Sequence, residues 1–247
     1  MIFIIHKSDI FTTLSIGKEI DITMSFKILY VTATRPEGDT LKKFREIMSH
    51  NDRLDSFETD LLITGVGSMA TAWSLKQWIT LNEKPDLAIN AGIAGSFNDR
   101  LNIGDVVMPV SDCFADAGVE DGENFLTLSE SGLISANDFP YKDGLLYTDT
   151  RYNEKIKSIL KPVRAITVNT ATGSETTMGK LLKKFNPDIE TMEGATFFYI
   201  CSREYIPFLA LRAISNKIEL RNKNNWNIDL ALHNLSEKLI DVLLTLK

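Results

Sequence analysis

The chain has 247 residues, 44% of them apolar and 24% charged, with a formal net charge of −6 and a sequence pI near 5.2. That balance fits one globular domain with a proper core. It excludes the basic face that a nucleic-acid binder needs, and no run reaches the ~18 apolar residues of a membrane span. Cys113 and Cys201 lie in apolar contexts and make no disulfide framework, which predicts a reduced, cytoplasmic protein. His6, His50 and His233 are scattered, so no metal centre is expected.

Residues 1–23 read as an N-terminal extension ahead of a single domain at 24–247. A short greasy run is broken by His6 and Lys7, with no cleavage site after it. The segment is either a dispensable product of a mis-assigned start or an added edge hairpin. Residues 27–31 then predict a strand, followed by a turn at 32–38 and a helix capped by Asp39 or Thr40, with Leu41, Phe44, Ile47 and Met48 on its inner face. Residues 61–64 predict a second strand ending in Gly65-Val66-Gly67, and 69–81 a helix. Residues 87–90 predict a third strand running into Gly92-Ile93-Ala94-Gly95, and Gly104 opens a fourth.

Residues 118–148 are rich in Gly, Asp, Asn and Ser and look like an excursion from the core. A strand at 164–168 and a helix at 176–185 follow. Ile228, Leu232, Leu235, Leu239, Val242 and Leu246 recur at alternating four- and three-residue spacings, one apolar face of a C-terminal helix. Strands alternating with helices predict an α/β domain around a mostly parallel sheet.

Two segments near the C-terminal end carry the strongest chemical signal. In residues 188–199 a polar run holding Glu193 turns abruptly into an apolar helix. In residues 207–216 a buried strand ends in Arg212, Ser215 and Asn216. An acid, a cation and a neutral amide at successive strand ends would face one crevice, where α/β sheets bind ligands. Glu37, fixed between Pro36 and Gly38 past the first strand, is either a general base at the sheet mouth or an acid at a helix entry facing the dipole. The glycine turns at Gly65–Gly67 and Gly92–Gly95 permit close approach of a ligand or simply tight packing. Neither is a dinucleotide fingerprint or a P-loop.

Lys27-Ile-Leu-Tyr-Val-x-Ala-x-x-x-Glu37, Thr64-Gly65-Val-Gly67, Ile89-Asn-Ala-Gly92-Ile-Ala-Gly95, Ile103-Gly104-Asp105-Val-Val, Asp188-x-x-x-Met192-Glu193-Gly194 and Leu211-Arg212-Ala-Ile-Ser215-Asn216 occur in the order found in the nucleoside phosphorylase/nucleosidase superfamily. Over roughly residues 26–246 the chain resembles that superfamily. Within it the chain looks most like the futalosine hydrolases, relatives of the methylthioadenosine/S-adenosylhomocysteine nucleosidases, through residues 168–175, Met192-Glu193-Gly194-Ala195 and Asn216 with the trailing Arg221…Trp226.

The resemblance implies a three-layer α/β/α fold with a central mostly parallel mixed sheet. It also implies hydrolysis of a purine nucleoside without metal or organic cofactor, and a homodimer or higher homo-oligomer. By the same resemblance Glu37 activates water, Glu193 grips the ribose hydroxyls above Met192, and Arg212 stands beside the water and its base. Gly92, Asn169 and Gly173 are expected to bind substrate. Arg221 is either a partner for a carboxylate at the substrate's 5′ end or an exposed loop arginine.

Two departures matter. Ile93 replaces a serine near the water, and Asn216 replaces the aspartate of adenine-specific relatives. A 6-oxopurine presents acceptors at both N7 and O6, which suits an amide NH₂, so Asn216 favours hypoxanthine over adenine. Asn90 stands where phosphorylases carry an arginine, which favours water over phosphate as nucleophile. The activity so implied is hydrolysis of futalosine to hypoxanthine and dehypoxanthinylfutalosine, on the route to menaquinone.

Overall fold

The computed structural model describes residues 25–48, 57–148, 150–220 and 222–246. The extension at 1–23 and Arg221 lie outside the described residues. The strands are β1 (Phe26–Thr32), β2 (Phe57–Ile63), β3 (Leu87–Ser96), β4 (Val106–Asp112), β5 (Gly118–Asp121), β6 (Asn124–Thr127), β7 (Leu146–Tyr147), β8 (Lys161–Thr167), β9 (Ile189–Thr191) and β10 (Phe208–Lys217). The helices are α1 (Arg35–Met48), α2 (Ser68–Leu81), α3 (Thr150–Ile156), α4 (Glu175–Phe185), α5 (Gly194–Arg203) and α6 (Ile228–Leu246).

Successive residues of β1 point to opposite faces of the sheet, and both faces are apolar, as a central strand requires. Ile28 and Tyr30 join Ile89, Leu211 and the Leu235, Leu239 and Val242 stripe of α6 in one core cluster. Leu29 and Val31 join Leu75 and Ile79 of α2 and Phe197 and Phe198 of α5 in another. The sheet is therefore the middle of three layers, with α6 on one face and α2 and α5 on the other.

The sheet is mixed. β1 pairs in parallel with β2 and β3, β3 with β10, and β4 with β8, whereas β4–β10 and β3–β9 are antiparallel. Because β8 also pairs β9, the ladder from β10 through β4, β8 and β9 returns to β3, which itself pairs β10. Part of the sheet thus closes into a ring, a closure set by pairings between distant segments. The excursion at 118–148 holds the separate β5–β6 hairpin and the short β7, which pairs the C-terminal end of β4 at Ser111 and Asp112.

The second, third and eighth strands run longer than expected, and the first helix starts earlier. Helix α1 begins at Arg35, four residues before the expected cap, and Pro36 and Gly38 lie inside it. The cause is local. The Glu37 carboxylate reaches back to accept the N–H of Thr34 at 2.8 Å, the N3-to-N-cap half of a capping box, and proline is tolerated in a first turn. Leu41 is buried as expected. The side chains of Phe44, Ile47 and Met48 lie outside the described residues.

Candidate active site

The carboxyl ends of β1, β2, β3, β9 and β10 open onto one cleft. Glu37, Ile93, Met192, Glu193, Asn216 and Trp226 all line it. Glu37, at the start of α1, is 6% exposed. One carboxylate oxygen accepts from the Thr34 N–H and hydroxyl, both at 2.8 Å, and the other from the Ile93 N–H at 3.1 Å. Ile93 lacks the hydroxyl of a serine, yet its backbone still grips the carboxylate.

Gly92 lies against the Glu37 carboxylate and is not among the residues that line the cleft. A Cβ built there would lie 2.5 Å from the Glu37 carboxylate oxygen, so the glycine leaves room for the acid to stand where it does.

Glu193 sits at the junction of β9 and α5. Its Oε1 accepts from the Gly67 N–H at 2.8 Å. Gly65 and Gly67 both have φ near +90°, a conformation that L side chains rarely adopt, so the glycine turn after β2 serves to aim a backbone donor at Glu193. Burial raises the pKa of Glu193. The Gly67 bond and the Arg212 charge oppose that shift, and Glu37 adds to it.

Arg212 lies behind the cleft, only 2% exposed. Its guanidinium donates to the Asn90 backbone oxygen at 2.8 Å, to the Leu211 oxygen at 2.9 Å and to the Asn90 side-chain oxygen. Burial lowers its pKa, while Glu193, Glu37 and Asp112 raise it. The positive charge is therefore held close to the carboxylates of the cleft, with neutral groups taking its hydrogen bonds. Asn90 is held at both ends of its amide, since its nitrogen donates to the Val31 oxygen at 3.0 Å.

Asn216 is aimed by an irregularity. The β3–β10 register shifts between Ile214 and Asn216, and Ser215 is the extra residue. Such a bulge re-aims the side chains beside it. The Ser215 hydroxyl donates to the Asn216 Oδ1 at 2.8 Å, which fixes the amide, and Nδ2 donates to the Lys217 oxygen at 2.9 Å. A Cβ on Gly95 would stand 2.3 Å from the Ile218 side chain and 3.2 Å from this Nδ2, so the glycine leaves room for both side chains to pack over the strand.

Not every expected residue joins the cleft. Asn169 is turned away, its N–H and amide both donating to the Asp116 carboxylate, the latter at 3.1 Å. Gly173 lines a neighbouring cavity on the other side of the same loop, while Ala171 and Thr172 face both. Within the cleft this loop is represented by Ala171 and Thr172.

Two buried acids were missing from the sequence reading. Glu190 of β9 lines the cleft and accepts from the Thr172 N–H at 2.8 Å and from its hydroxyl, tying the loop to the sheet. Burial raises its pKa against those bonds. Its place two residues from Met192 on an alternating strand was the available signal. Asp112 is 1% exposed, with its carboxyl pushed up to about 7 by burial.

A family model for the phosphorylase superfamily matches residues 61–246. The chain belongs to that superfamily. It is 30% identical to the futalosine hydrolase of Acidothermus cellulolyticus over 86% of this chain and 88% of the relative. It is 24% identical to the 5′-methylthioadenosine/S-adenosylhomocysteine nucleosidase of a Buchnera aphidicola strain, over 83% and 86%. Among solved structures, the Colwellia psychrerythraea nucleosidase in complex with adenine overlays at a TM-score of 0.74, with 20% identity, over 90% of this chain and 96% of that one. The futalosine hydrolase of Helicobacter pylori gives 0.70 at 17% identity, over 89% and 97%. With relatives of these two kinds, the phosphorylase-superfamily chain is a nucleosidase-type N-glycosyl hydrolase.

Proposed function

We propose that the protein hydrolyses the N-glycosidic bond of futalosine, releasing hypoxanthine and dehypoxanthinylfutalosine, as one step of the futalosine route to menaquinone in the cytoplasm. The observation that carries this reading is Asn216, a buried amide fixed by Ser215 at the cleft. One amide hydrogen is held by the Lys217 oxygen, which leaves the other to donate to N7 or O6 of a departing 6-oxopurine, while a neutral amide has no proton to transfer to adenine. The leaving hypoxanthine anion is spread onto O6, so hydrogen bonds suffice where adenine departure asks for a proton.

In this reading Glu37 takes a proton from water as the water oxygen bonds to C1′ and the C1′–N9 bond breaks. The ribose becomes oxocarbenium-like, Glu193 accepts its hydroxyls, and Met192 packs beneath it. Arg212 balances the two carboxylates from behind. Asn90, locked between Val31 and Arg212, leaves that position without the cation a phosphate would need. Arg221 remains the proposed partner for the carboxylate of the substrate's tail. The exposed apolar side chains Val66, Met69 and Trp73 begin at the cleft rim and fit a homodimer built beside it. The buried free thiols of Cys113 and Cys201 suit a reducing compartment.

Turnover of futalosine, inosine and methylthioadenosine, each with and without phosphate, tests the proposal. The expected result is phosphate-independent release of hypoxanthine, with futalosine the best substrate. Faster release of adenine from methylthioadenosine would replace the reading with the adenine-specific one. Formation of a sugar phosphate would make the enzyme a phosphorylase.

A further inference from the structure

Helix α5 raises an accounting question that Glu193 does not answer. The first N–H groups of any helix need acceptors from outside it. Glu193 holds the N-cap position of α5, yet its side chain makes no capping bond. The donors go elsewhere. The Gly194 N–H bonds the Thr191 hydroxyl at 3.2 Å, and the Ala195 N–H bonds the Thr167 hydroxyl at 2.7 Å.

With Asp112 Oδ1 as an acceptor, the protons of those hydroxyls have one consistent arrangement. Thr167 donates to Asp112 Oδ1 at 3.0 Å, and a hydroxyl has a single proton. Thr167 must then accept from Thr191, its neighbour at 3.2 Å. The order Thr191, Thr167, Asp112 leaves a lone pair of Thr167 for the Ala195 N–H. Asp112 Oδ1 also takes the Cys113 N–H at 2.8 Å, while the buried Oδ2 has no hydrogen-bond partner. It faces Gly194, where a Cβ would lie only 2.2 Å away. A carboxyl group in so dry a place is costly, and apolar packing alone does not call for one.

We infer that Thr167, oriented by Asp112, is a positioning residue for Glu193: it caps α5 in place of that side chain, which leaves the Glu193 carboxylate aimed into the cleft. Without the Thr167 hydroxyl, the Ala195 N–H is orphaned. The nearest acid at the N-cap position then folds back onto the helix and leaves the substrate. The inference rests on the reading of Glu193 as the acceptor of the ribose hydroxyls.

The test compares kcat/KM for a ribonucleoside and its 2′-deoxy analogue, using whichever of futalosine and methylthioadenosine the wild type cleaves faster. The variants are Thr167→Val, Thr167→Ser, Asp112→Val and Glu193→Gln. Hydrogen bonds to charged groups set the expected size: Thr167→Val and Asp112→Val should lower the ribose preference about 10- to 100-fold, while Thr167→Ser keeps it. A purely structural role would lower both substrates together and leave the ratio alone. Should Asp112→Val not fold, Thr167→Val decides alone. A ratio unchanged in Thr167→Val but lost in Glu193→Gln overturns the positioning role and spares the role of Glu193. A wild type without ribose preference overturns both.

Discussion

Two glutamates begin two helices in this protein, and the helices use them differently. Glu37, in the first turn of α1, spends its carboxylate on its own neighbourhood, taking the Thr34 N–H and hydroxyl and the Ile93 N–H. Glu193, at the start of α5, caps nothing and is held from a distant loop through Gly67. The first is clamped in place, which suits the water-activating role proposed for it. The second is left facing the cleft, with its helix capped by threonines of β8 and β9. The contrast shows how one sheet edge fixes one acid by local bonds and frees another by supplying substitutes.

Breaking the clamped side should have the largest effect. Glu37→Gln keeps the shape and an acceptor but removes the base, so kcat should fall ~10²–10⁴-fold with little change in KM. Steady-state kinetics on futalosine checks this, and near-normal kcat would remove Glu37 from the chemistry.

Gly92→Ala sharpens the same side without touching the acid. The added methyl would contact the flexible end of Glu37, so the fold should survive while the carboxylate is displaced. A displacement of about 1 Å can cost about 10²-fold in rate. An unchanged melting temperature with a kcat loss of that order is expected; unchanged kcat would show that the position of Glu37 is not critical.

The freed side yields a smaller effect, read in stability. Burial raises the Asp112 carboxyl from the ordinary 3.8 to about 7. Between those values the folded protein keeps a proton that the unfolded chain has released, so stability falls as pH rises through that window. Asp112→Asn cannot titrate. Thermal unfolding followed from pH 4 to pH 7 should therefore show the wild type losing stability relative to the variant. Parallel curves would mean that Asp112 is not buried as described.

The acids at strand ends were legible because a strand followed by a polar turn places a side chain at the sheet mouth whatever the rest of the fold does. Met192, Glu193 and Asn216 reach one cleft on that logic. The start of α1 was misplaced because Pro36 and Gly38 read as a turn, and only the Glu37–Thr34 bond shows that the helix contains them. Asn169 was expected at the substrate because the order of motifs places it near the cleft, but its orientation depends on Asp116 in a distant segment. Thr167, Thr191 and Asp112 were invisible for a related reason. Threonines in strands look like ordinary β-formers, and their capping role exists only once β4, β8 and α5 are packed together.

The central claim, that this cleft is built for a 6-oxopurine, is tested most directly at Asn216. The measurement is the ratio of kcat/KM for futalosine to that for methylthioadenosine, in the wild type and in Asn216→Asp. A site that hydrogen-bonds the distinguishing group can discriminate by up to ~10⁴-fold, so the wild type should strongly favour futalosine and the variant should move the ratio toward the adenine nucleoside. A ratio that Asn216→Asp leaves unchanged, or a wild type that prefers methylthioadenosine, would contradict the account.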